Sequence, residues 1–312
     1  MSVRRGLSSE FESALRTGHL TPITERVCAD NTLCMGIRAD CINVYYRGGN
    51  LLRVHRRPPP QTDPTCSRYE ASFHPNYGVG RELPNLPPVL TRSEDVQTWL
   101  DAFPVLKDAM DRSDRLGVER EIQQSILRDN NFCSSANSTD YYVCDIEYSR
   151  SRADAFRFDI VGVHWPSEPN VRKRGDGRRL FFAEVKQGDK ALGGKSGLHS
   201  HIRHVNAHLA DTQNVTAIKA EMIEVFNQKR KLGLLEPGRE LVSFSDEPPL
   251  LILVLVNHDP QSLPLGKMLR DLPEHPNVDL RVATSSLMGY GLYEHCVMTV
   301  EAALERFGDL IQ

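Results

Sequence analysis

Along the first third of the chain, hydrophobic and polar residues alternate with the period of a β-strand. Ile42, Val44 and Tyr46 follow this alternation and predict one strand. A second strand is predicted at 51–55, after turn residues at 48–50, because glycine and asparagine tolerate the positive φ of a tight turn. The pattern therefore predicts a β-hairpin in this region.

Two further segments extend this region and then end it. Residues 69–73 predict another strand, and the proline-rich segment 84–88 is typical of a linker. We therefore expect residues 1–90 to form a β-rich accessory module that contacts a substrate or a partner. Residues 91–312 are expected to form a separate α/β domain.

Beyond the linker, apolar residues recur with the spacing of helices. A capping-box sequence at 91–94 predicts the start of a first helix. A longer helix is predicted at 106–127, with Val118, Ile122 and Ile126 on its apolar face. Three segments rich in aromatic and β-branched residues follow and predict strands. These strands are expected at 141–148, 156–165 and 180–185.

The rest of the chain completes an α/β pattern. The remaining predicted elements are helices at 198–209, 216–234 and 300–307 and strands at 250–256 and 278–283. The strand at 250–256 is apolar throughout, which is typical of a strand buried on both faces. The order of helix, three strands, two helices, strand, strand and helix predicts a mixed sheet flanked by helices.

The composition restricts the class of protein but does not indicate a function. The chain is 40% hydrophobic and 25% charged, which suits a folded globular protein, and its formal net charge is only −3. A polyanion would therefore have to be held by a local basic surface or by metal ions. We see no signal-peptide core and no apolar run long enough to span a bilayer. Seven cysteines without a C-x-x-C pair favour reduced thiols, so we expect a cytoplasmic protein without a membrane partner.

Two of the predicted strands carry charged residues among apolar ones. Asp159 lies in the second strand, and Glu184 and Lys186 lie two positions apart at the third. Because side chains alternate along a strand, Glu184 and Lys186 share one face. A buried carboxylate needs a cation, hydrogen-bond donors or solvent nearby. If the two strands are neighbours, their carboxylates meet and provide the oxygen ligands that Mg²⁺ or Mn²⁺ prefers.

This pattern resembles the bipartite signature of the PD-(D/E)XK nuclease superfamily. Asp159 matches its first acidic residue, and Glu184-Val185-Lys186 matches its second part. Glu119, on the helix before the strands, resembles the acidic residue of the superfamily's first core helix. The resemblance covers residues 106–235 and departs at Phe158, which stands where the signature has proline.

The resemblance implies a restriction-endonuclease-like mixed sheet in residues 91–312 and a Mg²⁺- or Mn²⁺-dependent nuclease, with DNA favoured as the substrate. It implies that Asp159, Glu184, Glu119 and the Val185 carbonyl bind the metal. The metal would acidify a bound water, and Lys186 would position or help deprotonate that water. The three acids and Lys186 are thus the expected catalytic residues. A homodimer is plausible on the same grounds, since cutting both strands commonly takes two active sites.

The segment after Lys186 offers candidate contacts to nucleic acid. A glycine-rich loop carries Lys190 and Lys195 and leads into a helix, whose N-terminus favours anions. His201 on that helix is expected to line the substrate cleft. His204 and His208, four residues apart, are an alternative metal pair without an indicated third ligand.

Lys229 and Lys231 form a basic run near the end of the next helix and are expected to contact phosphates. The alternative for this run is a solvated face, and the alternative for the glycine-rich loop is an ordinary flexible loop. The corresponding alternatives for the signature residues are a simple strand-end carboxylate for Asp159, a surface ion pair for Glu184 and Lys186, and a solvated helix residue for Glu119.

Two other functions fit the same pattern. The first is a catalytically silent nucleic-acid-binding or structural member of the same fold. The second is a metal-dependent hydrolase that acts on a substrate other than nucleic acid.

Overall fold

The computed structural model describes residues 5–58, 68–79, 82–113, 116–132, 139–149, 157–194, 197–235, 239–257, 263–285 and 297–308. No helix in these stretches is long and apolar enough to cross a membrane. No disulfide bond joins the cysteines that they contain, which are Cys28, Cys34, Cys41 and Cys144. The chain divides into two compact units, Met1–Gln124 with Glu224–Glu236 and Ser125–Ile223 with Pro237–Gln312.

The first unit is built on an antiparallel sheet of five strands in chain order. The strands are β1 (Leu33–Arg38), β2 (Cys41–Tyr46), β3 (Gly49–Arg57), β4 (Arg68–Ser72) and β5 (Val89–Leu90). The unit also contains α1 (Ser9–Thr17), α2 (Thr21–Ala29), a 3₁₀ turn (Pro75–Tyr77) and α3 (Ser93–Asp111), together with parts of α4 (Val118–Asn131) and α7 (Thr212–Lys231).

The predicted hairpin and the strand near residue 69 are confirmed as β2, β3 and β4. The hairpin turn differs slightly from the prediction, because its positive-φ residues are Arg47 and Gly48. The sequence pattern predicts none of α1, α2 and β1. Because α3 packs against α2, β3 and β5, the boundary expected at residue 90 falls inside the first unit.

The single helix predicted at 106–127 is wrong. The chain instead forms α3, which continues through Pro104 to Asp111, and then α4, which begins at Val118. Pro104 is exposed, while its neighbours Phe103 and Leu106 are fully buried, so the packing of α3 outweighs the hydrogen bond that proline removes. At the start of α3, the capping carboxylate is Asp95 rather than Glu94, since it accepts the Thr91 and Arg92 backbone N–H groups at 2.9 and 3.2 Å.

The second unit contains a mixed sheet of six strands in the order β11-β10-β9-β8-β7-β6. The strands are β6 (Tyr141–Tyr148), β7 (Phe158–His164), β8 (Arg179–Gln187), β9 (Leu250–Val256), β10 (Asp279–Ser285) and β11 (Val297–Met298). The described helices are the second half of α4, α5 (Pro169–Arg172), α6 (Leu198–Leu209), most of α7, α8 (Leu263–Arg270) and α9 (Val300–Gly308).

The predicted mixed α/β arrangement is confirmed. Strands β6, β7 and β8 form an antiparallel meander, whereas β9 and β10 run parallel to β8. A parallel neighbour needs a long crossover, which α6 and α7 supply between β8 and β9. Every residue of β9 is buried, as its continuous apolar sequence predicts. The sequence pattern does not predict α5, α8 or β11.

Candidate active site

Asp159 and Glu184 lie on neighbouring antiparallel strands. Ile160 pairs with Ala183 in the ladder between β7 and β8, so the next position in this register sets Asp159 opposite Glu184. Residues directly opposite each other in an antiparallel pair project to the same face. Lys186, two positions after Glu184, shares that face. The expectation that the strands are adjacent is therefore confirmed.

A hydrogen bond ties Asp159 to the backbone of β8. The carboxylate oxygen Oδ2 accepts the Val185 N–H at 2.8 Å. In an extended strand, the N–H and C=O of one residue point toward the same neighbouring strand. The Val185 carbonyl therefore lies on the edge of β8 that faces Asp159, which is the position that the expected metal ligand requires.

Glu184 is the most enclosed charged residue of the site. Its exposure is 2%, and its Oε1 accepts a hydrogen bond from Lys186 Nζ at 2.6 Å. The Nδ1 atom of His201, on α6, lies 2.8 Å from the same oxygen. Because the side chains of Glu184 and Lys186 are only 3% and 6% exposed, the alternative of a surface ion pair is wrong.

Burial and a neighbouring carboxylate disfavour the ionised form of Asp159. Burial and the negative charge of Glu184 raise the pKa of the Asp159 carboxyl well above its ordinary value. The Val185 N–H and the charge of Lys186 act in the opposite direction on this pKa, but they do not outweigh burial. A divalent cation between the two carboxylates would remove their mutual repulsion.

The donor set suits magnesium better than zinc. Within the residues that the structure describes, no group of three or more His, Cys, Asp or Glu side chains is arranged to hold a metal ion. The candidate protein ligands for a cation at this site are two carboxylates and the Val185 carbonyl. Mg²⁺ is commonly bound in this way, since it keeps several waters and uses one or two carboxylates.

Glu119 lies in the first turn of α4 and belongs to the first unit, whereas Asp159 and Glu184 belong to the second. Its metal-binding role therefore stays a prediction. The neighbouring Glu121 forms an ion pair with Arg47 at 3.0 Å. The predicted apolar face of this helix is correct for Ile122 and Ile126 and wrong for Val118, which is 48% exposed.

The lysines expected to contact nucleic acid differ in how far they are exposed to solvent. Lys229 is 1% exposed, so its placement on a basic surface is wrong, because a buried side chain cannot reach a phosphate. Lys231 is 40% exposed and lies 3.3 Å from Glu12, and its role stays a prediction. Lys190 lies in the 3₁₀ turn Asp189–Ala191, and Lys195 lies outside the described residues.

Two further charged residues lie beside Asp159 that the sequence reasoning did not identify. On β6, the pairs Ile146–Ile160 and Tyr148–Phe158 set Glu147 opposite Asp159. Arg157, just before β7, forms an ion pair with Glu147 at 2.8 Å. The sequence signal that could have identified Glu147 is its position between two large apolar residues, Ile146 and Tyr148, in a predicted strand.

Comparisons with known proteins do not name this site. Neither the protein families nor the characterised proteins compared match this sequence, and no solved structure matches the chain.

Proposed function

We propose that this protein is a Mg²⁺- or Mn²⁺-dependent nuclease that hydrolyses phosphodiester bonds in DNA. The observation that carries the proposal is the group formed by half-buried Asp159 and by buried Glu184 and Lys186 on one face of β7 and β8. Two carboxylates, a main-chain carbonyl and an ammonium within one small volume are a costly arrangement for a protein without a ligand to bind.

The protein's own groups have distinct tasks in this mechanism. Asp159, Glu184 and the Val185 carbonyl would hold the cation on the edge of the antiparallel pair. A bound divalent cation supplies an acidified water and neutralises charge that develops on the phosphate. Lys186 would orient the attacking water and stabilise the negative charge of the transition state.

His201 has a supporting task. Its Nδ1 atom lies 2.8 Å from the Glu184 oxygen that also contacts Lys186. Groups in close contact with a ligating carboxylate commonly help to fix its orientation toward the metal. The proposed role of His201 is therefore to orient Glu184, in addition to lining the substrate cleft.

The order of elements supports the proposal. A helix, three antiparallel strands, a helical crossover and a parallel strand follow one another in the order that the sequence pattern predicts. With a formal net charge of −3, the protein would bind DNA through local cations and the metal. A second copy of the chain would supply the second active site needed to cut both strands.

The direct test is incubation of the purified protein with supercoiled plasmid and with RNA, in Mg²⁺, Mn²⁺ or EDTA. We expect nicking or linearisation of the plasmid in either metal and none in EDTA. The Glu184→Gln variant is expected to lose cleavage, because it keeps the size of the side chain but not its charge. Glu247→Gln is the matched control, since Glu247 is an exposed acid of the same unit that pairs with Arg179 at 3.4 Å.

The alternatives predict different results from the same assay. If the folded wild-type protein binds DNA but cleaves neither DNA nor RNA with any metal, it is a silent member of the fold. If it neither binds nor cleaves nucleic acid, the substrate belongs to another class.

A further inference from the structure

We propose that Arg157 binds a backbone phosphate of the DNA next to the metal site, and that Glu147 holds Arg157 in position for this contact. This inference rests on the proposed nuclease function and adds a substrate contact to it. Neither residue belongs to the signature that Asp159, Glu184 and Lys186 resemble.

The register of the sheet brings the two residues to the site. Glu147 on β6 lies opposite Asp159 on β7, and Asp159 lies opposite Glu184 on β8, so the three acids occupy neighbouring positions across three strands. Arg157 precedes Asp159 by two positions, which corresponds to about 7 Å along an extended chain. One DNA strand can therefore contact the metal site and Arg157 at the same time.

Arg157 stays about half exposed in its ion pair with Glu147. Its Nη1 atom lies 2.8 Å from Glu147 Oε2, and its side chain is 52% exposed, whereas that of Glu147 is only 16% exposed. A guanidinium group has five N–H donors in a planar fork that matches phosphate oxygens. The carboxylate of Glu147 therefore contacts the guanidinium group at Nη1, while the Arg157 side chain as a whole stays about half exposed.

The backbone of Glu147 is unusual for its residue type. Its φ is +54°, in the left-handed region that non-glycine residues seldom adopt, although it lies within β6. Such a conformation persists where the surrounding structure imposes it, and it occurs often at functional sites. In β6 this residue lies between Ile146 and Tyr148, whose pairing with β7 sets it opposite Asp159.

The negative charge of the three carboxylates gives Arg157 a role in DNA binding. Three neighbouring carboxylates would repel a phosphate backbone, and the charge of Glu147 also contributes to the raised pKa of Asp159. Arg157 neutralises Glu147 and presents positive charge on the exposed side of the site. An ordinary surface ion pair, by contrast, would contribute little and would have no effect on DNA binding.

The test compares Arg157→Gln and Arg157→Lys in the full-length protein. Arg281→Gln is the matched control, because Arg281 also pairs with an acid, Asp279, but lies on β10, three strands from β7. Binding of a fluorescent DNA duplex is measured in EDTA over a range of salt concentrations, and KM and kcat are measured in Mg²⁺.

We expect Arg157→Gln to weaken duplex binding and raise KM about tenfold, with kcat changed less than about twofold. The slope of log affinity against log salt should fall by about 0.9, the value for one lost phosphate contact. Arg157→Lys keeps the positive charge, so its salt slope should equal that of the wild type. Its affinity for the duplex should lie between those of the wild type and Arg157→Gln. Arg281→Gln should match the wild type in duplex affinity, salt slope, KM and kcat.

Unchanged affinity and salt slope in a folded Arg157→Gln protein would overturn the inference, and so would an equal loss in Arg281→Gln. This failure differs from failure of the nuclease proposal, which would appear as a wild-type protein that cleaves nothing. If the wild type cleaves DNA and Arg157→Gln keeps the wild-type affinity and salt slope, the nuclease proposal stands and only the phosphate contact is rejected.

Discussion

Replacement of Lys186 by methionine is expected to slow DNA cleavage about 10³-fold while leaving DNA binding almost unchanged. Lys186 Nζ lies 2.6 Å from Glu184, on the face that also carries Asp159, and methionine keeps most of its apolar stem without the charge. Loss of one group that stabilises transition-state charge typically costs about 10³-fold in kcat, so we expect a fall of about that size. Single-turnover cleavage of a labelled duplex in saturating Mg²⁺ measures this change.

The matched control is Lys219→Met, since Lys219 is a partly buried lysine of the same unit that donates to the Ser245 carbonyl at 2.6 Å. This variant should cleave like the wild type.

Because Lys186→Met leaves Glu184 buried without its ammonium, the protein should also lose about 3 kcal/mol of stability. The double variant with Glu184→Gln should recover stability but not cleavage. A Lys186→Met protein that cleaves within about tenfold of the wild-type rate would reject the role of Lys186.

Replacement of Gly162 by alanine is expected to destabilise the second unit strongly. Gly162 lies on β7, and a Cβ atom there would clash with the backbone carbonyl of Tyr142 on β6 and with the Phe181 ring on β8. Neither neighbour can move easily, because both belong to buried strands of the same sheet. Overpacking of this kind costs about 3 kcal/mol or more when backbone must shift.

Urea unfolding monitored by circular dichroism measures this loss. Gly193→Ala is the control, since Gly193 is exposed and a Cβ atom there would meet nothing within 4 Å. The control should change the free energy of unfolding by less than about 0.5 kcal/mol. Equal stability of Gly162→Ala and the wild type would mean that β6, β7 and β8 do not pack as closely as described.

The second unit could be predicted closely from the sequence, because its strands are dense in aromatic and β-branched residues. The predicted limits of β6, α6 and β9 coincide with the observed ones. The period of two along β8 also predicts that Glu184 and Lys186 share a face, and the structure confirms it. Local patterns were sufficient here because each of these properties depends on one element alone.

Features that depend on tertiary packing could not be predicted in this way. Lys229 and Lys231 look like one basic run, but a helix turns by about 100° per residue, which sets these two side chains on opposite sides. One of them is consequently buried and the other partly exposed. Glu147 was missed because an irregular register between Val143 and Asp145 determines which residue of β6 faces Asp159.

Titration of the protein with Mn²⁺, followed by electron paramagnetic resonance of the free ion, tests the central claim most directly. The claim is that Asp159 and Glu184 share a divalent cation. We expect the wild-type protein to bind Mn²⁺ and the double variant Asp159→Asn with Glu184→Gln to bind it at least about tenfold more weakly. Equal Mn²⁺ affinity in the wild type and a folded double variant would contradict the claim.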